Sequence, residues 1–244
     1  MTATQTAAPA RPLATALALA GLTAGITLLA ALVIQWLAPG MEPMQQRFIA
    51  VLALAIFAAI TVVVTRRDLL TSGRAHPVLL IIPLLVALAP FFPGIKDVGL
   101  EAGITLVFGY LATGIYEELW FRGLVLDSLA AWTPLRAALL SSALFGATHL
   151  VNIAFGANPA VTAAQVIGAT CFGIGMAALR LRRVSLWPLV IIHALTDIAL
   201  QVGDVTSPWR WILMIGGDII LLAYGLRILR KAHPNGEDHL WQMI

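Results

Sequence analysis

The sequence predicts an all-α, polytopic integral membrane protein. Of its 244 residues, 60% are hydrophobic and only 11% are charged, whereas soluble domains carry about 25% charged residues. The mean hydropathy is +0.91, and the apolar residues form long runs, several of them close to the roughly 20 residues that a transmembrane helix needs. The net charge of +3 comes from basic residues between these runs, without a basic stripe that interleaves aromatic residues. The lipid bilayer is therefore the expected surrounding, and nucleic acid is not an expected partner.

The apolar runs define about eight transmembrane helices within one membrane domain, residues 13–230. The first run is too long for the core of a signal peptide, and the fourth is too long for one straight span, so we expect it to kink. Polar tails flank the domain at 1–12, which we expect to be disordered, and at 231–244. The eight predicted helices cover 13–37, 48–65, 77–93, 99–131, 134–152, 160–180, 185–203 and 209–229.

The distribution of Lys and Arg predicts that both termini are cytoplasmic. Eleven basic residues fall on one side of the predicted bundle and three on the other, and cytoplasmic loops are the ones enriched in Lys and Arg. The Ala/Leu/Gly-rich composition favours a bacterial inner membrane. The eleven are Arg11, Arg66, Arg67, Arg74, Arg136, Arg180, Arg182, Arg183, Arg227, Arg230 and Lys231, and the three are Arg47, Lys96 and Arg210.

Three of the predicted helices carry ionisable residues at bilayer depth. Each ionised residue there costs roughly 2.5–3.5 kcal/mol on insertion scales, so such residues usually face the bundle interior and serve a function. The candidates are Glu117, Glu118, Arg122, His149, His193 and Asp197.

The spacing of these residues predicts that they meet near mid-membrane. Glu117 lies 16 residues before Thr133, in the turn between two helices, and His149 lies 16 residues after it. With a rise of about 1.5 Å per residue, the two reach the same height. His193 lies ten residues beyond Arg183, at a similar depth. We therefore expect a shared intramembrane cavity, and we expect it to face the cytoplasm.

Helical periodicity predicts how these side chains pair. Glu118 and Arg122 are one turn apart and can form an ion pair that holds the frame. His193 and Asp197 are spaced in the same way, so Asp197 is expected to orient the imidazole. Adjacent residues of a helix point about 100° apart, so Glu117 is not expected to share a task with Glu118. That leaves Glu117 as a candidate general base. The alternative is a set of buried ion pairs and core histidines with a structural role only.

Three motifs in this order resemble those of the CPBP, or Abi, family of intramembrane proteases, which includes the CAAX-processing prenyl-protein endopeptidase. The resemblance covers roughly residues 100–200, and the motifs lie within 99–203. They read Glu117-Glu118-x-x-x-Arg122, Phe145-x-x-x-His149 and His193-x-x-x-Asp197.

The resemblance implies roles for four residues. Glu117 and His149 would activate a water for peptide-bond hydrolysis, and His193 and Asp197 would stabilise the oxyanion. In the CAAX endopeptidase the last position is Asn. Because an ionised Asp cannot donate a hydrogen bond, Asp197 is either protonated or acts through His193.

The expected function is that of an intramembrane endopeptidase acting on a membrane-associated peptide or protein. We expect no cofactor. The alternative is a divalent metal such as zinc, to which Glu117, His149, His193 and Asp197 would supply nitrogen and oxygen ligands. Two other functions stay open: a non-catalytic membrane protein of the same fold, in bacteriocin immunity or complex assembly, and a proton-coupled transporter.

Overall fold

The computed structural model describes residues 11–74 and 76–230, and these ranges are almost entirely helical. They contain no β-strand beyond two isolated bridges. The predicted tails at 1–12 and 231–244 lie outside the described residues, except for Arg11 and Pro12. A π-helical segment (Glu118–Val125) joins α5 to α6, and 3₁₀ segments follow α4 (Ala89–Phe91) and α7 (His149–Phe155). The α-helices are α1 (Pro12–Leu37), α2 (Pro43–Thr65), α3 (Asp68–Thr71), α4 (Pro77–Leu88), α5 (Leu100–Glu117), α6 (Leu126–Ser128), α7 (Pro134–Thr148), α8 (Pro159–Leu181), α9 (Leu186–Val202) and α10 (Trp209–Arg230).

Five stretches of the described chain are long and apolar enough to cross a membrane: α1, α2, α8, α10, and α7 together with its 3₁₀ extension. Two shorter apolar helices are α9 and Pro77–Phe91. The all-α, multi-span membrane fold is therefore confirmed, whereas the count of eight spans stays a prediction.

The fourth predicted helix changes its winding instead of breaking. It runs from α5 through the π-helical segment into α6 without interruption. A π-helix bonds i to i+5, and such segments are rare and frequently lie at functional sites. In place of the predicted kink, the helix has a wider, π-helical segment that begins at Glu118.

Helices α2 and α5 run parallel. A Cβ atom on Gly109 would lie 3.0 Å from the Phe48 ring, so the Phe48 side chain packs against this position. Eighteen residues further along each helix, Arg66 forms an ion pair with Asp127. The Arg66 guanidinium also holds the pKa of Asp68 below its usual range through a side-chain hydrogen bond. These contacts fix the height of α5 relative to α2.

Helix α9 runs antiparallel to α5 and packs closely against it. A Cβ atom on Gly114 would lie only 2.7 Å from the Val190 carbonyl oxygen, so the absence of a side chain at this position permits the approach. This contact brings the start of the π-helical segment against His193.

Helix α1 braces α5 from another side. The Trp120 indole, which is fully buried, donates to the Leu19 carbonyl oxygen at 3.0 Å. The hydroxyl groups of Thr23 and Tyr116 are also hydrogen-bonded. These two contacts flank the paired glutamates along the chain and fix the rotation of their helix.

Candidate active site

His193 lies between the two adjacent glutamates. Its Nδ1 atom is hydrogen-bonded to Glu118 Oε1 at 2.7 Å, and its Nε2 atom lies 3.2 Å from Glu117 Oε2. Asp197 is on the Nε2 side as well, at 3.8 Å. One imidazole therefore links three carboxyl groups from two helices.

This arrangement contains two contacts that helical spacing alone did not predict. Glu117 and Glu118 do act on one partner, because the two ring nitrogens of His193 point in different directions and each meets one carboxylate. The group that orients the imidazole at Nδ1 is Glu118, not Asp197. The predicted proximity of His193 and Asp197 is present, but Asp197 lies near the nitrogen that faces Glu117.

Arg122 is the ion-pair partner of Glu118, as the i,i+4 spacing predicts. Its Nη1 atom lies 3.2 Å from Glu118 Oε1, and both side chains are almost completely buried. The guanidinium carbon lies 4.2 Å from the centroid of the Phe145 ring and 6.0 Å from that of Phe172, within the range of cation–π attraction. The Phe172 ring also packs against His193, with centroids 4.8 Å apart. The aromatic rings enclose the charged chain of Arg122, Glu118 and His193.

His149 stands at the end of α7, with its tautomer defined by one hydrogen bond. Its Nδ1 atom lies 3.0 Å from the Phe145 carbonyl oxygen. Since a carbonyl oxygen only accepts, Nδ1 carries the proton, and Nε2 keeps a free lone pair. A neutral imidazole with this tautomer can accept a hydrogen bond from a water molecule or a substrate.

A cavity of about 640 Å³ joins these groups. The four predicted catalytic residues line it: Glu117, His149, His193 and Asp197. Glu117 exposes 15% of its side chain and Asp197 30%. Glu118 and Arg122 do not line the cavity. The side chains that can contact water or substrate are therefore different from the side chains that hold them in place.

The mouth of the cavity lies at the end where α2 begins and α9 ends. Met44 and Arg47 are exposed there, and Gln201 lines the same region. The arginine-rich loops lie at the opposite end, where Arg66 meets Asp127. A cytoplasm-facing cavity and a cytoplasmic arginine-rich end are therefore incompatible in this fold. The ten residues between Arg183 and His193 predicted how deep the site lies in the membrane. They did not indicate at which end of the bundle the helices separate to open the cavity.

The alternative set of metal ligands is not assembled. In the two ranges that the structure describes, no three His, Cys, Asp or Glu side chains are placed to hold a metal ion. His193 directs both nitrogens at carboxylates, whereas a metal-binding imidazole needs one lone pair free for the ion. As arranged, the site does not fit zinc.

Three further side chains of the site were not predicted from the sequence. Phe172 is one apolar residue among many in α8, and Arg47 resembles any basic residue at a membrane edge. Tyr110 lines the cavity and precedes Glu117 by seven residues, which is two helical turns. That spacing alone places Tyr110 on the face of Glu117, and it is the signal by which the sequence could have indicated it.

Comparison with known families agrees with the motifs. Residues 99–199 match the model of the Type II CAAX prenyl endopeptidase Rce1-like family. The matched range contains all six candidate residues from Glu117 to Asp197, so the family resemblance predicted from the three motifs is confirmed. No curated protein and no solved structure matches the chain significantly.

Proposed function

We propose that this protein is an intramembrane endopeptidase that uses water to hydrolyse a peptide bond of a membrane-associated peptide or protein. One observation carries the proposal: the Glu117 carboxylate faces a cavity of about 640 Å³ while lying 3.2 Å from His193. A carboxylate in that position has a free edge for water and a positioned imidazole on its other side. The match to a family of endopeptidases supports the same conclusion.

In the proposed reaction, Glu117 is the general base. A water molecule in the cavity donates hydrogen bonds to Glu117 and to the free Nε2 atom of His149. Glu117 takes the proton as the water oxygen bonds to the peptide carbonyl carbon, and the carbonyl π electrons move to its oxygen. The carbon–nitrogen bond then breaks, and the departing amine receives the proton that Glu117 holds. A positioned general base of this kind contributes about 10²–10⁴-fold.

His193 is the proposed stabiliser of the oxyanion. Carboxylates face both of its nitrogens, so an imidazolium with two N–H donors satisfies all of these contacts. Its positive charge is fixed before the reaction begins, which is how preorganised groups stabilise a developing negative charge. Asp197 acts through His193, because an ionised carboxylate has no proton to donate.

The proposed orientation places the arginine-rich end in the cytoplasm of a bacterial cell, with both termini on that side, as the charge distribution predicts. The cavity mouth near Arg47 then faces the opposite side of the inner membrane. Substrate enters the site from that side or from the adjacent leaflet.

The test compares cells that produce the wild type, Glu117→Gln and Glu101→Gln. Glu101 is an exposed acid in the same helix and is the matched control. Mass spectrometry of newly formed protein termini in membrane fractions should reveal fragments in the wild type and in Glu101→Gln cells that are absent from Glu117→Gln cells. Identical termini in all three would contradict the proposal and favour a binding function.

A further inference from the structure

Asp218 is an acid at bilayer depth that takes no part in the proposed active site. It lies in α10, nine residues after Trp209 and twelve before Arg230, which is about 14 Å and 18 Å from the two ends of the helix. Since α10 is long and apolar enough to cross a membrane and the hydrocarbon core is about 30 Å thick, the carboxyl group lies near its middle. An ionisable residue at this depth usually serves a function.

The Asp218 side chain has no polar partner in the part of the chain that the structure describes. It forms no hydrogen bond and no ion pair with another residue of 11–74 or 76–230, and it is partly exposed. A Cβ atom on Gly168 of α8 would lie 2.5 Å from Asp218 Oδ2, so the carboxyl group packs against the bare backbone of Gly168. It therefore lies in the groove between α8 and α10 and lacks a hydrogen-bond donor there.

The surface on both sides of this groove is apolar and open. Ile167 of α8 and Ile215 of α10 are both exposed. A single polar residue within a row of apolar residues sets the register in which two helices pack. Four residues of α10, none of them fully buried, follow one another at intervals of four, three and four positions, as in a helix–helix seam: Trp211, Ile215, Asp218 and Leu222.

The partner that fits this row carries a positive charge. A carboxylate within the membrane pairs with a group of opposite charge, and a Lys or Arg side chain supplies both the charge and the donors. A second copy of the chain offers neither at this depth. The described Arg and Lys residues of the helices lie near helix ends, except for Arg122, which is buried beside Glu118. The occupant is therefore a different membrane protein.

We propose that the groove between α8 and α10 binds a transmembrane helix of another membrane protein, through an ion pair between Asp218 and a Lys or Arg near the middle of that helix. The exposed apolar residues of α10 supply the contact surface. Gly168 and Gly216 bring no side chain to it, which permits close approach of the second helix. The interaction uses no group of the active site, so it does not depend on the proposed proteolytic function.

The test measures how purified full-length protein in phosphatidylcholine vesicles binds two synthetic transmembrane helices. Both are Leu/Ala peptides of about 20 residues that carry a dansyl group, and they differ only in one central residue, Lys or Leu. Energy transfer from the tryptophans of the protein to the dansyl group gives the apparent Kd. The wild type is compared with Asp218→Asn, which keeps the shape of the side chain. The matched control is Asp204→Asn, which removes an exposed acid outside α10.

The wild type and Asp204→Asn should bind the Lys peptide about ten- to a hundred-fold more tightly than the Leu peptide, since only the Lys peptide forms a hydrogen bond between charged groups. Asp218→Asn should bind both peptides with the same low affinity. Its Tm should match that of the wild type, because the carboxylate has no partner within the described residues. Equal affinities of the wild type for the two peptides, or a preference for Lys that survives in Asp218→Asn, would overturn the proposal. A markedly lower Tm of Asp218→Asn would also overturn it, since the acid would then serve the fold.

Cys171 reports where the second helix binds. It is the only cysteine of the chain, it follows Gly168 by one helical turn, and it is partly exposed. Lys peptides with a cysteine one turn before or one turn after the lysine should form a disulfide with Cys171 when copper phenanthroline is added, in the wild type but not in Asp218→Asn. Absence of this disulfide with both peptides would contradict binding in the groove. A dimer linked through Cys171 that forms without peptide, and that is lost in Asp218→Asn, would show that a second copy is the occupant and would overturn the proposed partner.

Discussion

Gly114 of α5 packs directly against the Val190 carbonyl group of α9. A single added carbon on Gly114 would lie 2.7 Å from the Val190 carbonyl oxygen, a distance that real Cβ atoms essentially never show. The next turns of the two helices carry the glutamates and His193. The contacts of 2.7 and 3.2 Å around the imidazole therefore depend on a residue that takes no part in the chemistry.

Replacing Gly114 with Ala should weaken both stability and cleavage. The backbone of α9 must move to accept the methyl group, and overpacking of this kind costs about 1–3 kcal/mol. The thermal midpoint Tm in detergent and the rate of cleavage should both fall. Gly21→Ala is the control, because a Cβ atom there has open space within 4 Å and alanine is the better helix former. Equal Tm values for the two variants would show that the close contact of Gly114 with Val190 does not determine stability.

Much of the site follows from sequence, because helical periodicity is local. The i,i+4 spacing predicted the ion pair of Glu118 and Arg122, and the matched heights placed Glu117 and His149 at the same depth; both line one cavity in the structure. The double contact of His193 was not predictable in this way. It depends on the approach of α9, and regular α-helical geometry argued against a shared partner for adjacent glutamates.

The direction of the cavity shows a second limit of the sequence. Charges between apolar runs report which end of a helix is cytoplasmic, but they do not report where helices diverge. That depends on packing, such as the contact of the Phe48 ring with Gly109 and the ion pair of Arg66 with Asp127.

Removing Glu118 should destabilise the protein more than removing Glu117. Glu118→Ala leaves the buried guanidinium of Arg122 without its counter-ion, and breaking one side of a buried pair costs about 3–5 kcal/mol. Glu117→Ala removes a partly exposed carboxylate, so its Tm should change less. Thermal unfolding in detergent compares the two variants directly.

The double variant Glu118→Ala/Arg122→Met separates stability from positioning. Replacement of both charges removes the unpaired cation, so most of the lost Tm should return. Cleavage should stay low, because the Nδ1 atom of His193 has lost the acceptor that orients it. Recovery of activity together with stability would show that Glu118 serves the fold alone.

His149→Asn should abolish cleavage while preserving the fold. The Asn side-chain amide can still donate to the Phe145 carbonyl oxygen, as Nδ1 of His149 does at 3.0 Å, but it offers nothing in place of Nε2. A loss of about 10²–10⁴-fold in kcat is expected for a group that positions the water, with Tm nearly unchanged. An active His149→Asn variant would mean that Nε2 takes no part in the reaction.

Cysteine labelling determines which side of the membrane the cavity faces. In a Cys171→Ala background, Met44→Cys places a thiol at the exposed mouth, and Thr133→Cys places one in the exposed turn at the arginine-rich end. If the charge distribution sets the orientation, a membrane-impermeant maleimide should label Met44→Cys in intact spheroplasts and Thr133→Cys only after lysis. If Thr133→Cys alone is labelled before lysis, the orientation of the protein is the reverse of the proposed one. Substrate would then enter from the cytoplasm, and the eleven basic residues would lie outside, against the usual rule.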